Sequence, residues 1–459
     1  MVGHDVIVIG SGPAAYAAAI QSSKLGLDVL LVEPEPCAGA AVTAGAVPPR
    51  LRRAVACRIL THHEAARRSG EPLAPRTLSV GELSRRANEM AQAYLENLQR
   101  GLRESCVQLR SGPTRFDAPD QVRIDSGDLR RAETVVIATG TRPRRPGSFP
   151  FDDRVVCDPE STFRAGGSIL SLLVVGANDE GCEISCLFSA LGASVTLVDR
   201  RAQLLRSVDR DLLNALHVRM RRTGIEIVLE EDIESIEVKA HSCEPNAVVT
   251  LASGRVEQVA RVSICAGWLP NVEALELERA GVERDPMGFI VTDEHCQTSR
   301  RGIYAVGDVA GVPCELGTQL YQARVAVLHA AGMEPTLDEH VPRSIYTIPE
   351  LGTVGLSEEA CARLGVPYAV GRAPHPSASM DGGAGAVDGV VKLVVEKESG
   401  RVFGIHVIGE HARELLQLGM DLLRREASVD SMASATFAAP SLMNAFRLAA
   451  LDALDPVAR

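Results

Sequence analysis

Short apolar runs recur along the chain, each closed by small residues and followed by a stretch with apolar positions at helical spacing. The run VIVI at 6–9 stops at Gly10-Ser11-Gly12-Pro13-Ala14-Ala15, an alanine-rich stretch continues to Leu25, and DVLLV at 28–32 ends in Glu33. The same order returns later: LLVV at 172–175, Gly176-Ala177-Asn178-Asp179-Glu180-Gly181, a helical stretch bearing Glu183, then ASVTLV at 193–198 and Asp199. Strand-length runs alternating with helix-length stretches predict βαβ units and parallel sheets. Three more runs read as buried strands: ETVVIATG at 133–140, VSICAG at 262–267 and IYAVGDV at 303–309. One such unit is easily imitated by chance, whereas two in one chain are not.

The turns carry the candidate chemistry. In G-x-G-x-x-A the first glycine (Gly10) makes a tight turn and the second (Gly12) lets a pyrophosphate approach bare backbone at a helix N-terminus. The small third residue, Ala15, lets helix and strand pack closely. Glu33 stands where a carboxylate binds an adenosine ribose hydroxyl. The second copy keeps Gly176 and Gly181 but has Asn178 in the middle glycine position, with two acids after it. Asp199, in the acid slot, suits a free ribose 2′-hydroxyl and points to NADH, although Arg200 and Arg201 beside it offer charge for the phosphate of NADPH. Thr139 and Gly140 close the strand at 133–140, and Asp308 ends another strand, where it can reach a ribityl hydroxyl.

Bulk composition narrows the classes. A chain of 459 residues, 46% hydrophobic and 23% charged, belongs to the globular range and has room for about two to four domains. No apolar run reaches the roughly 18 residues of a membrane span. The first residues hold no basic segment or cleavage site, which gives the expectation of a cytoplasmic protein. Net charge is −11, so neither nucleic acid nor an anionic membrane is an expected partner. Eleven cysteines without a C-x-x-C pair read as reduced thiols rather than a disulfide framework. Cys182 and Cys186 share a helix face and read as buried. His62, His63, His406 and His411 lack ligand partners at the usual spacings, so no metal is expected.

Taken in order, GSGPAA, the ATG turn, the second glycine unit, AGWLPN and YAVGD resemble the flavoprotein disulfide reductase family over nearly the whole chain. The segments IYTIPELGTVG and GRAPHPSAS resemble its transhydrogenase branch. The resemblance implies an α/β fold with two Rossmann-like nucleotide-binding domains, for FAD and NAD, and a C-terminal α+β dimerisation domain. The expected boundaries are 1–155 and 273–338 for FAD, 156–272 for NAD(P) and 339–459 for a homodimer interface. It assigns Gly10, Gly12, Ala15, Glu33, Thr139, Gly140 and Asp308 to FAD, and Gly176, Gly181 and Asp199 to a dinucleotide. Arg50, in the slot of the family's flavin-side lysine, and Glu183, its acidic partner, become the candidate catalytic pair.

The chain departs from the family at its redox centre. The cysteine pair of C-x-x-x-x-C falls on Ala41 and Ala46, Cys37 lies outside that pattern, and the His-Glu dyad falls on Ala439 and Asn444. Alanine offers no thiolate, and neither replacement in the dyad titrates near neutral pH. Three readings follow: an FAD enzyme moving electrons from NAD(P)H to a small non-disulfide acceptor, with weak NADH binding; an FAD oxidase or dehydrogenase acting directly on an organic substrate; or a non-catalytic flavin-binding dimer.

Overall fold

The computed structural model describes residues 2–34, 52–60, 69, 80–125, 127–164, 167, 169–206, 208–239, 246–311, 315–338, 340–375, 389–438 and 441–455. Contacts divide the chain into two compact units, one of Met1–Arg52, Glu82–Arg144 and Ala266–Asp338, the other of Arg53–Gly81, Arg145–Cys265 and Glu339–Arg459.

In the first unit β1 (Val2–Ile9) pairs in parallel with β2 (Val29–Glu33) on one side and β3 (Asp128–Ile137) on the other. Strand Gln108–Ser111 extends the β2 edge, and antiparallel strands Gln121–Ile124 and Thr114–Ala118 follow β3. The late strand Ile303–Ala305 returns to pair in parallel with β3 at Val135–Ile137. The central strands are apolar throughout because both faces are covered. Val6, Val8, Leu31 and Val136 enter a core with helix α1 (Pro13–Lys24) and helix Leu316–Ala330. Ile7, Ile9, Leu30, Val135 and Ile137 enter the core on the opposite face.

In the second unit a parallel sheet runs in the order Ile225–Leu229, β5 (Ser194–Asp199), β4 (Ser171–Val175), β6 (Arg261–Ile264), Val156–Cys157. Helix α2 (Asp179–Ala190) follows β4. Residues from 343 onward build an antiparallel sheet of five strands, Arg343–Ile345, Glu350–Gly355, Val402–Gly409, Val390–Glu396 and Tyr368–Pro374, packed by helices Ala412–Arg424 and Asn444–Leu454. By contacts this segment shares one compact unit with residues 53–81 and 145–265. Ion pairs join the two parts: Arg343 to Asp179, and buried Lys392 to Asp209. No helix among the described residues is long and apolar enough to cross a membrane.

Candidate functional site: two nucleotide cradles

The first cradle lies at the C-terminal ends of β1, β2, β3 and Ile303–Ala305, where parallel sheets place their ligand sites. Gly10 has φ +149°, and a Cβ there would lie 2.2 Å from the Ala138 carbonyl oxygen. No residue but glycine fits that turn. Gly12 is the N-cap of α1, with φ −95° and ψ 177°, Pro13 follows it, and no side chain caps the first turn. Ala15 is fully buried against the sheet. Among the described residues, no side chain takes up the backbone donors of this helix start.

Glu33, 2% exposed, closes β2 and accepts a 2.7 Å hydrogen bond from the Tyr16 hydroxyl on one oxygen, Oε1. Burial raises its pKa, and the Tyr16 hydroxyl partly offsets that. Among the described residues the Tyr16 hydroxyl is its one side-chain donor. Thr139 Oγ1 is buried without a hydrogen-bond partner, an orphan that calls for a polar ligand atom. Gly140, at φ +68°, accepts on its carbonyl from the Asn271 amide N–H at 2.9 Å. Asn271 Nδ2 also donates to the Thr139 carbonyl at 3.0 Å. Asp308 sits in the turn Gly307–Ala310, and Gln319 Nε2 donates to its Oδ1 at 3.0 Å. A Cβ on Gly307 would stand 3.3 Å from that of Ala14, which places this turn against the start of α1. Gly10, Gly12, Ala15, Glu33, Thr139, Gly140 and Asp308 thus gather around one end of one sheet. Sequence reasoning missed Tyr16, Gln319 and Gln322, the last of which accepts from Gly307 N–H at 2.8 Å; two glutamines one turn apart on an otherwise apolar helix were the available signal.

The second cradle repeats the backbone and changes the side chains. Gly176 has φ +105°, and a Cβ there would meet the Cys265 carbonyl oxygen at 2.4 Å; a Cβ on Gly181 would meet the Gly176 carbonyl oxygen at 1.7 Å. Asn178 is the N-cap of α2: its Oδ1 accepts from Gly181 N–H at 3.0 Å while its Nδ2 donates to the Cys265 carbonyl at 3.0 Å. Asp199 is 4% exposed. Its Oδ2 accepts from Ala177 N–H at 2.6 Å and from Arg201 Nη2, and its Oδ1 from Arg201 N–H and Nε, both at 2.8 Å. Burial raises the Asp199 pKa, but Arg201 and these backbone donors outweigh it and hold the acid below its ordinary value. The sequence offered Asp199 as a free ribose acceptor; the fold commits it to Arg201 and the turn. Asp179, the first of the two acids after Asn178, is bound by both its oxygens to Arg343 Nη2, at 2.7 and 2.9 Å.

Arg50, Ala41, Ala46, Cys37, Ala439, His62 and His63 lie outside the described residues. Glu183 is described, and its partner is the backbone: Oε1 accepts from Tyr346 N–H at 2.7 Å. Desolvation pushes its carboxyl up to about 8, against the opposing Tyr346 N–H, with the nearby charges of Glu180 and Asp179 adding to the rise. An acid with a raised folded pKa holds a proton that the unfolded chain has released, so its contribution to stability is full below the ordinary value of 4.5 and falls as pH climbs to about 8. Glu183→Gln removes that loss. Its melting temperature relative to the parent should therefore rise between about pH 5 and about pH 8.5; a constant difference in thermal scans would show that Glu183 is ionised throughout.

The described cysteines are free thiols. Burial pushes Cys186 up to about 12, Cys157 up to about 11, and Cys182 well above its ordinary value. Buried and protonated, they are poor nucleophiles. Among the described residues no group of three or more His, Cys, Asp or Glu is placed to hold a metal ion.

Comparison with known proteins agrees with this architecture. Residues 4–334 match the family model described as pyridine nucleotide-disulphide oxidoreductase, and residues 341–450 match the dimerisation domain of the same family. The soluble pyridine nucleotide transhydrogenase of Mycobacterium bovis (strain BCG / Pasteur 1173P2) is 32% identical over 98% of this chain and 97% of its own length. That of Photorhabdus laumondii is 30% identical over 98% of each. Among solved structures, LpdA from Mycobacterium tuberculosis superposes with a TM-score of 0.85 at 24% identity, covering 97% of this chain and 99% of that one. The HOCl-induced flavoprotein disulfide reductase RclA from Escherichia coli gives 0.83 at 21%, covering 97% and 99%. With two glycine cradles on parallel sheets, an antiparallel C-terminal sheet, and matches that run almost end to end, the chain belongs to the pyridine nucleotide-disulphide oxidoreductase family, FAD-dependent oxidoreductases that bind FAD and NAD(P)H.

Proposed function

We propose that this chain transfers hydride or electrons without a protein disulfide, from NAD(P)H to a small non-disulfide acceptor, in the manner of a transhydrogenase or a quinone reductase. The observation that carries the reading is the first cradle, whose glycine turn, uncapped helix start, unsaturated Glu33 and orphaned Thr139 hydroxyl fit FAD. Bound there, flavin supplies the redox chemistry. The chain's residues bind and orient it. Gly10 and Gly12 admit the pyrophosphate to backbone donors, Glu33 takes an adenosine ribose hydroxyl, Thr139 and Gly140 line the strand end, and Asp308, oriented by Gln319, takes a ribityl hydroxyl. Arg50 and Glu183 are the proposed catalytic residues. Names of the transhydrogenase relatives support a pyridine nucleotide as donor. The family's dimerisation domain supports a homodimer built by residues from 339 onward.

Ala41 and Ala46 leave no dithiol in the slot where the family relays electrons, and the described cysteines are buried or high in pKa for the most part. Lipoamide and glutathione disulfide are therefore not expected to turn over. One observation favours a second reading, in which an organic substrate reduces the flavin directly: the second cradle spends Asn178 and Asp199 on its own backbone and on Arg201. The test is anaerobic mixing of the yellow holoprotein with NADH or NADPH, followed by a quinone, a dye, lipoamide or glutathione disulfide. Flavin bleaching and quinone or dye turnover without disulfide turnover is the expected result. A colourless protein that FAD cannot reconstitute, or steady disulfide reduction, would overturn the proposal.

A further inference from the structure

The two cradles of this chain share one backbone plan, so each serves as a control for the other. At the first turn Gly10 lies under the Ala138 carbonyl and at the second Gly176 lies under the Cys265 carbonyl, with a Cβ blocked at 2.2 and 2.4 Å respectively. The N-cap residues also match, Gly12 at φ −95°, ψ 177° and Asn178 at φ −83°, ψ −171°. What differs is what fills the space above them. At Gly12 no described side chain caps the helix start, whereas over the second turn the Asn178 carboxamide spans the cradle from Gly181 N–H to the Cys265 carbonyl oxygen.

The acid slots differ in the same sense. Glu33 takes one side-chain donor, the Tyr16 hydroxyl. Asp199 takes four, the Ala177 and Arg201 backbone N–H groups and two guanidinium N–H groups of Arg201. A carboxylate offers about four lone-pair sites, so Asp199 has none left for a ribose diol.

From this contrast we infer that the second cradle is plugged by its own side chains: Asn178 occupies the pyrophosphate position and Arg201 occupies the ribose acceptor, so a dinucleotide binds there only by displacing both. Asn178 supplies an acceptor to a helix N–H, the bond a phosphate oxygen would otherwise make. Arg201 supplies donors to Asp199, the bonds two ribose hydroxyls would otherwise make. Neither replacement leaves a buried polar group unsatisfied, so the closed cradle is stable without a ligand. The inference rests on the FAD-dependent reading, and it makes NAD(P)H a weakly bound donor that must open the cradle to reach the flavin.

The experiment is calorimetric titration of the FAD-loaded protein with NADH and with NADPH, which reads binding without turnover. The unmodified protein should bind either dinucleotide only weakly, with half-saturation near about 1 mM. Asn178→Gly should tighten both by at least about tenfold, and glycine keeps the helix start because it caps nearly as well as asparagine. Arg201→Ala should tighten NADH selectively, by freeing Asp199 for the ribose. Asn178→Ala, which keeps the Cβ and loses the amide, should fall between parent and Asn178→Gly. Micromolar binding by the unmodified protein overturns the inference, as does an Asn178→Gly protein with full FAD content and unchanged affinity. Failure of the FAD-dependent reading would look different, because the protein would then carry no flavin before any dinucleotide was added.

Discussion

Replacing Lys392 with methionine should destabilise the second unit by about 3–5 kcal/mol, the cost of leaving one member of a buried ion pair uncompensated. Lys392 sits in an apolar strand, Val390–Glu396, with a side chain only 1% exposed. Its Nζ lies 2.8 and 2.7 Å from the two oxygens of Asp209, which is 0% exposed, and 2.8 Å from Asp211 Oδ2. Desolvation lowers the Lys392 pKa, but Asp209 and Asp211 outweigh it and the ammonium is held above its ordinary value. In the variant, Arg372 still pairs with Asp211 and Glu358, so the stranded charge is Asp209. The double variant Lys392→Met, Asp209→Asn should recover much of the loss, since asparagine keeps the helix cap that Asp209 provides to Asp211 N–H at 3.0 Å. Urea unfolding of the parent, both single variants and the double variant closes the cycle. A single-variant loss under about 1 kcal/mol would mean that the pair is hydrated like a surface bridge.

Gly12→Asn should convert the first cradle into a copy of the second and cost at least about a hundredfold in FAD affinity, roughly two steps of 1.4 kcal/mol. The Gly12 torsions are close to those of Asn178, so the backbone accepts the new residue without strain. Its carboxamide would then reach the Ala15 N–H and the Ala138 carbonyl, as that of Asn178 reaches Gly181 and Cys265. The pyrophosphate would lose its helix-start donors while the fold kept its cap. The measurements are flavin content after purification and the FAD dissociation constant, with far-UV circular dichroism as the control. Unchanged affinity would show that the amide swings aside easily, and would weaken the argument for the second cradle too.

The order of strand, glycine turn, helix, strand and acid was legible in the chain for both cradles because those signals are local. Gly10 and Gly176 need positive φ, the apolar runs need cover on both faces, and Glu33 and Asp199 follow at strand ends; each is set by a few neighbouring residues. The late strand Ile303–Ala305 was legible as a strand, but its place beside β3 was implied only by the order of motifs. What each polar side chain is used for was not legible. Glu33 and Asp199 occupy equivalent slots in sequence, and only the fold distinguishes an acid with one donor among the described residues from an acid with four, two of them backbone N–H groups. Asp179 read as a bare charge until the chain returned Arg343 to it from 164 residues away. Lys392 lies in the segment expected to form the dimerisation domain, and only the fold brings Asp209, 183 residues distant, to it as a buried tie. Hydrophobic periodicity encodes which face of an element is covered, and so it carries the architecture. A carboxylate or an ammonium chooses its partner by proximity and burial in the folded state, so the sequence by itself determined where two nucleotide cradles stand, and only the tertiary structure decided that Asn178 and Arg201 bond to the turn and acid of the second.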